Sequence, residues 1–209
     1  MQLNENTAEL IGAIMGDGNI YRRFNKYRIG FTGHPVTDKL YFEYLKKLIK
    51  LEMQKEGRIV DRKNSIQMVV NSKENCLFLI NDMKILSGKE KSLKALIPQP
   101  IKDDWNLMKR FIRGIVDTDG SVFAVRKPRV EKYPSIEITT INKPLAGDIK
   151  SALESNGFRV SEIWSFKQKL SKNLGYRFGL NGKVQLKKWI NEIGFSNPYK
   201  FERAISYLK

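Results

Sequence analysis

LIGAIMGDG occupies residues 10–18, and the related stretch IRGIVDTDG occupies residues 112–120. Each copy is an apolar run with a small residue at its third and seventh positions, and each ends in Asp-Gly before a β-favouring segment. Residues four apart lie on one face of an α-helix, so each copy predicts a helix with a small-residue face. Because an interior glycine costs a helix about 1 kcal/mol relative to alanine, the pattern indicates that two helices pack closely.

The two aspartates that precede the final glycines, Asp17 and Asp119, are the candidate catalytic residues. Both lie at predicted helix C-terminal ends, where the macrodipole disfavours negative charge. If the helices pack in parallel, the carboxylates meet at one end, and their repulsion favours a cation between them. No histidine or cysteine adjoins either aspartate, so oxygen ligands predict Mg²⁺ rather than zinc. For either copy alone, the alternative interpretation is that Asp-Gly only ends the helix, with the glycine in the left-handed conformation of a C-terminal cap.

At these residues the chain resembles the LAGLIDADG homing endonucleases, in the single-chain form that carries the motif twice. The resemblance covers the whole chain. Met15 replaces the usual acidic residue at the sixth motif position, and Arg113 replaces the usual small residue at the second position. The resemblance implies an α+β fold of two pseudo-twofold-related αββαββα halves packed through their motif helices, with saddle-like antiparallel sheets facing DNA.

The same resemblance implies a site-specific double-stranded DNA endonuclease. Such an enzyme hydrolyses one phosphodiester per strand of a long asymmetric target by divalent-metal-activated water and leaves 3′ overhangs. The eighth motif position carries the catalytic acid, so Asp17 and Asp119 are expected to bind metal, with carbonyls near Gly16 and Thr118 as further ligands. Asp117, at the sixth position, is expected to be a helix-end or surface residue.

Mg²⁺ is the expected cofactor, Mn²⁺ is a substitute, and Ca²⁺ is expected to support binding without cleavage. Similar enzymes place a basic residue near each scissile phosphate. The matching segments favour Lys91 and Lys200 as catalytic lysines, with Lys89 as an alternative to the first. For both positions an ordinary surface lysine is the competing interpretation.

Composition independently points to nucleic acid. The chain has 209 residues, with 38 Lys and Arg against 22 Asp and Glu, a net charge of +16 that implies a polyanionic partner. No apolar run approaches the roughly 18 residues that span a bilayer, and the first residues are polar, so we expect neither a membrane segment nor secretion. The expected location is intracellular, in a prokaryotic cytoplasm or an organelle matrix.

The single cysteine and the single histidine argue against other chemistries. Cys76 permits no internal disulfide, and its apolar neighbours predict a buried helix residue. His34 precedes a proline in a predicted turn, where it contributes to the turn or contacts a phosphate. Without a second histidine or a paired nucleophile, the sequence does not favour His-dependent hydrolysis.

Periodicity predicts two halves with the same element order, 1–101 and 102–209, joined by a proline-containing connector. We expect the first helix to begin at an Asn6 cap with Glu9 as its capping-box partner, and the first hairpin to turn at Asn25-Lys26. Two motifs in one chain predict a monomer, since the second copy supplies the partner helix.

Candidate DNA contacts are basic and polar side chains of the predicted strands and hairpin tips. They are Arg22, Arg28, Arg62, Gln67, Asn71, Arg126, Arg129, Glu137, Thr139, Lys167, Lys169 and Arg177. The C-terminal half has the larger excess of basic residues, so we expect it to make more of the phosphate contacts.

Two further hypotheses remain open at the level of sequence. One is a binding protein of the same fold, either an intron RNA maturase or a DNA-binding protein without cleavage activity. The other is a general nucleic-acid scaffold, which would not need the paired aspartates. Loss of either acid would favour these readings, and both acids are present.

Overall fold

The computed structural model describes residues 1–88, 91–167 and 173–209. The helices are α1 (Glu5–Met15), α2 (Lys39–Met53), α3 (Lys73–Leu77, continued by a π-helical turn at Phe78–Asp82), α4 (Lys91–Lys94), α5 (Gln99–Lys102), α6 (Trp105–Asp119), α7 (Lys143–Ser155), α8 (Lys183–Glu192) and α9 (Pro198–Ser206). The strands are β1 (Gly18–Arg23), β2 (Lys26–Gly33), β3 (Arg58–Arg62), β4 (Ser65–Asn71), β5 (Gly120–Lys127), β6 (Val130–Thr140), β7 (Trp164–Lys167) and β8 (Leu174–Asn181).

The strands form two antiparallel sheets of four, in the orders β1-β2-β4-β3 and β5-β6-β8-β7. Each sheet belongs to one half of the chain, and both halves run motif helix, hairpin, helix, hairpin, helix. The predicted α+β class and the αββαββα order are therefore confirmed. The second half adds α9, which packs on α2 and β5.

One hydrophobic core runs through both halves, with α1 and α6 at its centre. Alternate strand residues point into this core, among them Ile29 and Phe31 on β2 and Ile136 and Ile138 on β6. The opposite face of each sheet is called the open face below. Within the described ranges, no helix is both long and apolar enough to cross a membrane.

The small residues allow α1 and α6 to touch backbone to backbone. A Cβ placed on Gly12 would lie 2.1 Å from the Phe111 carbonyl oxygen, and one on Gly114 would lie 2.1 Å from the Glu9 carbonyl oxygen. Real Cβ atoms do not approach an oxygen so closely, so only glycine fits at either position. The close helix pair predicted from the motif spacing is confirmed.

Two local predictions were wrong. The first helix begins after Asn4, whose side chain accepts from the Thr7 amide while the Thr7 hydroxyl accepts from the Asn4 amide. Glu9 does not complete a capping box, because its carboxylate is buried against other elements. The first hairpin turns at 24–25, since Arg23 pairs with Lys26 across the strands.

Candidate functional site

Asp17 and Asp119 lie at the same end of the α1–α6 pair. Asp119 is the last residue of α6, and Asp17 follows the end of α1 by two residues. Asp119 Oδ2 lies 3.4 Å from the position of a Cβ built on Gly16, and Asp17 lines a small cavity together with Thr118. Each aspartate therefore lies close to the other helix's terminus. Both aspartates therefore lie at the end of the helix pair where the motifs predict that their carboxylates meet.

The glycine after each aspartate permits a sharp exit into the following strand. A Cβ on Gly18 would lie 2.5 Å from Ile14 Cα, and one on Gly120 would lie 2.6 Å from the Val116 carbonyl oxygen. Gly120 has a φ of −81°, and Gly18 is not among the glycines with positive φ. The left-handed cap alternative is therefore wrong, because close approach of strand to helix explains both glycines.

The donor set at this end of the helices suits a hard divalent cation. Asp17 and Asp119 supply carboxylate oxygens, and Gly16 and Thr118 supply backbone carbonyls beside them. Among the described residues, no group of three or more His, Cys, Asp or Glu is arranged to hold a metal ion. Mg²⁺ commonly binds proteins through one or two carboxylates and takes its remaining ligands from water and phosphate, so two acids are sufficient. A cleft of about 290 Å³ adjoins Asp119 and has room for water.

Lys200, predicted as a catalytic lysine, contacts the end of α6. Its Nζ donates to the carbonyl oxygens of Val116, Asp117 and Thr118 at 2.7, 2.9 and 3.0 Å. Burial lowers the pKa of this ammonium, and the neighbouring Asp117 charge opposes that effect. Lys89 and the side chain of Lys91 lie outside the part of the chain that the structure describes.

Asp117 is buried, so the surface alternative for this residue was wrong, although it does lie near the helix end. Its Oδ2 accepts from the Ser196 amide at 2.7 Å, and its carbonyl oxygen accepts from the Asn197 side chain. Burial raises the pKa of the Asp117 carboxyl to about 8, against the opposing effects of Lys200 and of the Ser196 amide.

Glu9 is a second buried acid, and it joins the two halves of the chain. Its Oε1 accepts from the Ser196 hydroxyl at 2.6 Å and from the Tyr44 hydroxyl at 2.7 Å. Its Oε2 lies 3.4 Å from Arg113 Nε and 3.5 Å from Arg110 Nη1. Arg113, which departs from the motif's usual small residue, therefore forms an ion pair with a buried acid of the other motif helix.

Replacement of Asp117 by asparagine should reduce the pH dependence of stability. The pKa of this carboxyl is about 8 in the folded protein and near 3.8 in the unfolded chain, so the folded state binds the proton more tightly. Its contribution to stability is therefore complete below pH 3.8 and is lost as the pH rises through about 8. Asparagine can still accept from the Ser196 amide but does not titrate. We expect the free energy of unfolding of the wild type to fall by roughly 3 to 4 kcal/mol relative to D117N between pH 5 and pH 8. Urea unfolding at both pH values measures this, and parallel pH profiles would contradict it.

Four of the five predicted DNA contacts of the N-terminal half share its open face. Arg28 pairs with Asn71 on the neighbouring strand, so both side chains lie on one face of the sheet. Because side chains alternate between the two faces along each strand, Gln67 and Arg62 lie on that same face. The four are Arg28, Arg62, Gln67 and Asn71. Arg22 lies on the other face of the sheet, because it pairs with Tyr27, which packs against the core.

The predicted contacts of the C-terminal half are more scattered. Glu137, Thr139 and Arg177 share the open face, since Thr139 pairs with Arg177. The remaining positions lie at strand ends, turns or undescribed residues: Arg126 beside a register shift, Arg129 in the β5–β6 turn with φ +63°, Lys167 at the end of β7, and Lys169 outside the described ranges.

The two open faces differ chemically in a way that total charge does not reveal. Strand positions on the N-terminal open face include Arg23 and Arg58, which are not among the contacts predicted from the sequence. On the C-terminal open face, Trp164 pairs with Arg177 and is 69% exposed, and Arg177 Nε lies 3.6 Å from Glu137 Oε2. The phase of strand alternation could have identified these residues. Among the described strand positions, the N-terminal open face carries more basic side chains than the C-terminal one, and the expectation from total charge stays a prediction.

The fold and the paired motif helices are similar to those of single-chain LAGLIDADG proteins. Residues 106–194 match the family model described as the LAGLIDADG-like domain. The C-terminal half is thus similar to a LAGLIDADG-like domain, and the resemblance seen in the motifs is confirmed.

Two solved structures have the same fold over almost the whole chain. A structure of I-DmoI in complex with DNA and Ca has a TM-score of 0.65 at 18% identity, covering 97% of this chain and 96% of that chain. Other I-DmoI complexes contain DNA with Mn or with Mg. The N-terminal LAGLIDADG domain of DUF199/WhiA has a TM-score of 0.58 at 18% identity, covering 91% and 82%.

Two curated relatives match by sequence along nearly all of this chain. The replication factor C small subunit of Methanocaldococcus jannaschii is 32% identical over 210 residues, covering 99% of this chain and 10% of that protein. The replication factor C small subunit of Pyrococcus horikoshii is 28% identical over 203 residues, covering 97% and 19%. This chain therefore spans at most about a fifth of either relative.

Proposed function

We propose that this protein is a site-specific, metal-dependent endonuclease that cuts one phosphodiester in each strand of a DNA duplex. The observation that carries the proposal is the convergence of Asp17 and Asp119 at one end of two packed motif helices. Basic and amide side chains on the open faces support a DNA partner. The I-DmoI structures, with DNA and Mn, Mg or Ca bound to the same fold, add support.

The chemistry follows from what the site can hold. A bound Mg²⁺ or Mn²⁺ would lower the pKa of an attacking water and neutralise charge on the scissile phosphate. Asp17 and Asp119 would hold the metal, and the Gly16 and Thr118 carbonyls are the nearest further oxygens in sequence. The pseudo-twofold arrangement gives each strand of a duplex one aspartate, which agrees with a double-strand break that leaves 3′ overhangs.

The dissimilar open faces favour a long asymmetric target. A single chain contains both motif helices in one core, so a monomer would be sufficient for both cuts. The halves 1–101 and 102–209 would each contact one half-site. A DNA target also agrees with an intracellular location.

Arg28 should matter more for DNA binding than Arg22. Arg28 lies on the open face, whereas Arg22 has the opposite phase on the neighbouring strand. We expect Arg28→Ala to weaken duplex binding roughly tenfold and to reduce the salt slope of log K by about 1, since one phosphate contact is lost. Arg22→Ala is the matched control and should leave both values nearly unchanged. Fluorescence anisotropy over a salt series measures both, and equal losses would contradict the assigned face.

The proposal is tested by incubating the protein with a randomised duplex library in Mg²⁺, Mn²⁺ or Ca²⁺ and sequencing the ends produced. We expect defined ends with 3′ overhangs in Mg²⁺ and Mn²⁺, and binding without cleavage in Ca²⁺. Tight duplex binding with no cuts in any metal would overturn the enzyme and support a DNA-binding protein of this fold. Preference for structured intron RNA over duplex DNA would instead support a maturase.

A further inference from the structure

The ammonium of Lys200 has no proton left for a DNA phosphate. A lysine ammonium has three N–H donors, and each donates to one carbonyl of the α6 C-terminal turn, at 2.7 to 3.0 Å. The Asp117 and Thr118 carbonyls belong to the end of the helix, where carbonyls have no backbone partner within it, whereas the Val116 carbonyl also accepts from the Gly120 amide. Lys200 therefore caps α6 from outside.

The chain around Lys200 is attached to both motif helices. The Ser196 amide donates to Asp117 on α6, and the Ser196 hydroxyl donates to Glu9 on α1. Asn197 is buried, donates to Asp38 and to the Asp117 carbonyl, and caps the first turn of α9. The segment that presents Lys200 is thus held at both helices, and the ammonium cannot leave α6 without breaking its own three hydrogen bonds to the carbonyls.

The capped turn is the one that ends in Asp119. The Thr118 carbonyl, which accepts from Lys200, belongs to the peptide directly before Asp119. The negative end of the α6 dipole and several carboxylates meet here, and a fixed cation at a helix C-terminus offsets both. The carboxylates whose charges act on the Lys200 ammonium include Asp117, Asp38, Asp17 and Asp119.

We propose that Lys200 is a positioning residue, which holds the last turn of α6 and thereby the Asp119 carboxylate, and does not contact the scissile phosphate. This inference rests on the proposed function for its consequence in catalysis. Its structural part, the engagement of the ammonium with α6, does not depend on cleavage. It differs from the role that the family resemblance implied for this lysine.

The structural part is tested on the wild-type protein by reductive methylation with formaldehyde, followed by mass spectrometry. We expect Lys200 to be modified at least tenfold more slowly than the exposed Lys187 in the free protein, with no further protection when mixed-sequence duplex is added. Rapid modification of Lys200 that duplex DNA suppresses would show that the ammonium faces the DNA, and would overturn the proposal.

The functional part is tested with Lys200→Met, which removes the ammonium and keeps the length of the side chain. We expect the single-turnover cleavage step, at saturating Mg²⁺ and on a duplex recovered from the library, to slow roughly 10²-fold, because a small displacement of a reacting group has effects of that size. The duplex Kd should stay within twofold of wild type. Arg203→Met is the matched control, since Arg203 lies on the same helix and donates to Tyr207 and Tyr199 rather than to α6; it should cleave normally.

The outcomes separate this proposal from the proposed function. Wild-type cleavage by K200M would overturn the positioning role, and so would a loss of DNA affinity with an unchanged cleavage step. Backbone amide exchange is the second measurement in case K200M is less stable: the amides of Asp119 and Gly120 should exchange faster in K200M and not in R203M. If the wild type cuts no DNA, the proposed function fails, while slow methylation and faster exchange would still support the capping of α6.

Discussion

Asp17→Asn and Asp119→Asn are each expected to reduce DNA cleavage by roughly 10³-fold or more while leaving duplex binding intact. Asparagine keeps the size of the side chain but removes the charge that would hold a divalent ion. Each aspartate lies beside the end of the other motif helix, so loss of one acid should disturb the metal environment that both use. Binding should be unchanged or slightly tighter, because a negative charge near the phosphates is removed.

The measurement is single-turnover cleavage of a duplex recovered from the library, with binding measured in Ca²⁺. Asp61→Asn is a matched control, because Asp61 is an exposed strand aspartate with the phase opposite to the open face. It should cut at the wild-type rate. An Asp17 or Asp119 variant that cuts both strands at the wild-type rate would exclude the paired aspartates as the catalytic site.

Gly114→Ala is expected to destabilise the fold by about 3 kcal/mol or more. The added Cβ would lie 2.1 Å from the Glu9 carbonyl oxygen and 2.7 Å from the Ala13 nitrogen. Both neighbours are backbone atoms of a buried helix, so neither can move without separating α1 from α6. The same displacement would move Asp17 away from Asp119, and cleavage should be lost in whatever protein remains folded.

Gly147→Ala provides the matched control. Gly147 lies inside α7, and a Cβ built there meets nothing within 4 Å. Alanine should therefore stabilise the helix by about 0.5 to 1 kcal/mol through helix propensity. Urea unfolding of both variants measures the difference, and a Gly114→Ala variant as stable as the wild type would refute the close helix contact.

Much of the fold could be predicted because its signals are local. The glycine spacing in each motif predicted the α1–α6 contact, and periodicity predicted that both halves have the same order of helices and strands. The errors also had local causes. Asn6 and Glu9 have the spacing of a capping box, but Asn4 and Thr7 form a box two residues earlier, and Glu9 is used to bind Ser196 and Tyr44.

Which of the predicted DNA contacts share one face of a sheet could not be predicted, because composition does not reveal the face on which a strand residue lies. Arg22 and Arg28 look alike in sequence, yet register assigns them to opposite phases of one hairpin. The exposed Trp164 was missed because an aromatic residue in a strand is usually expected in the core. Counting charges by half likewise gives no face, since most basic residues of either half lie outside its strands.

The sequence by itself determined the paired helices, the paired aspartates and the basic character of the chain, since each depends on residue types at fixed spacing. Only the tertiary structure decided what surrounds them. Lys200 is 81 residues beyond Asp119 in the sequence, and only packing of α9 against the core brings its ammonium to the carbonyls at the end of α6. Contacts between distant segments depend on the whole core, so no local pattern could assign Lys200 to α6 or bury Asp117 beside Ser196.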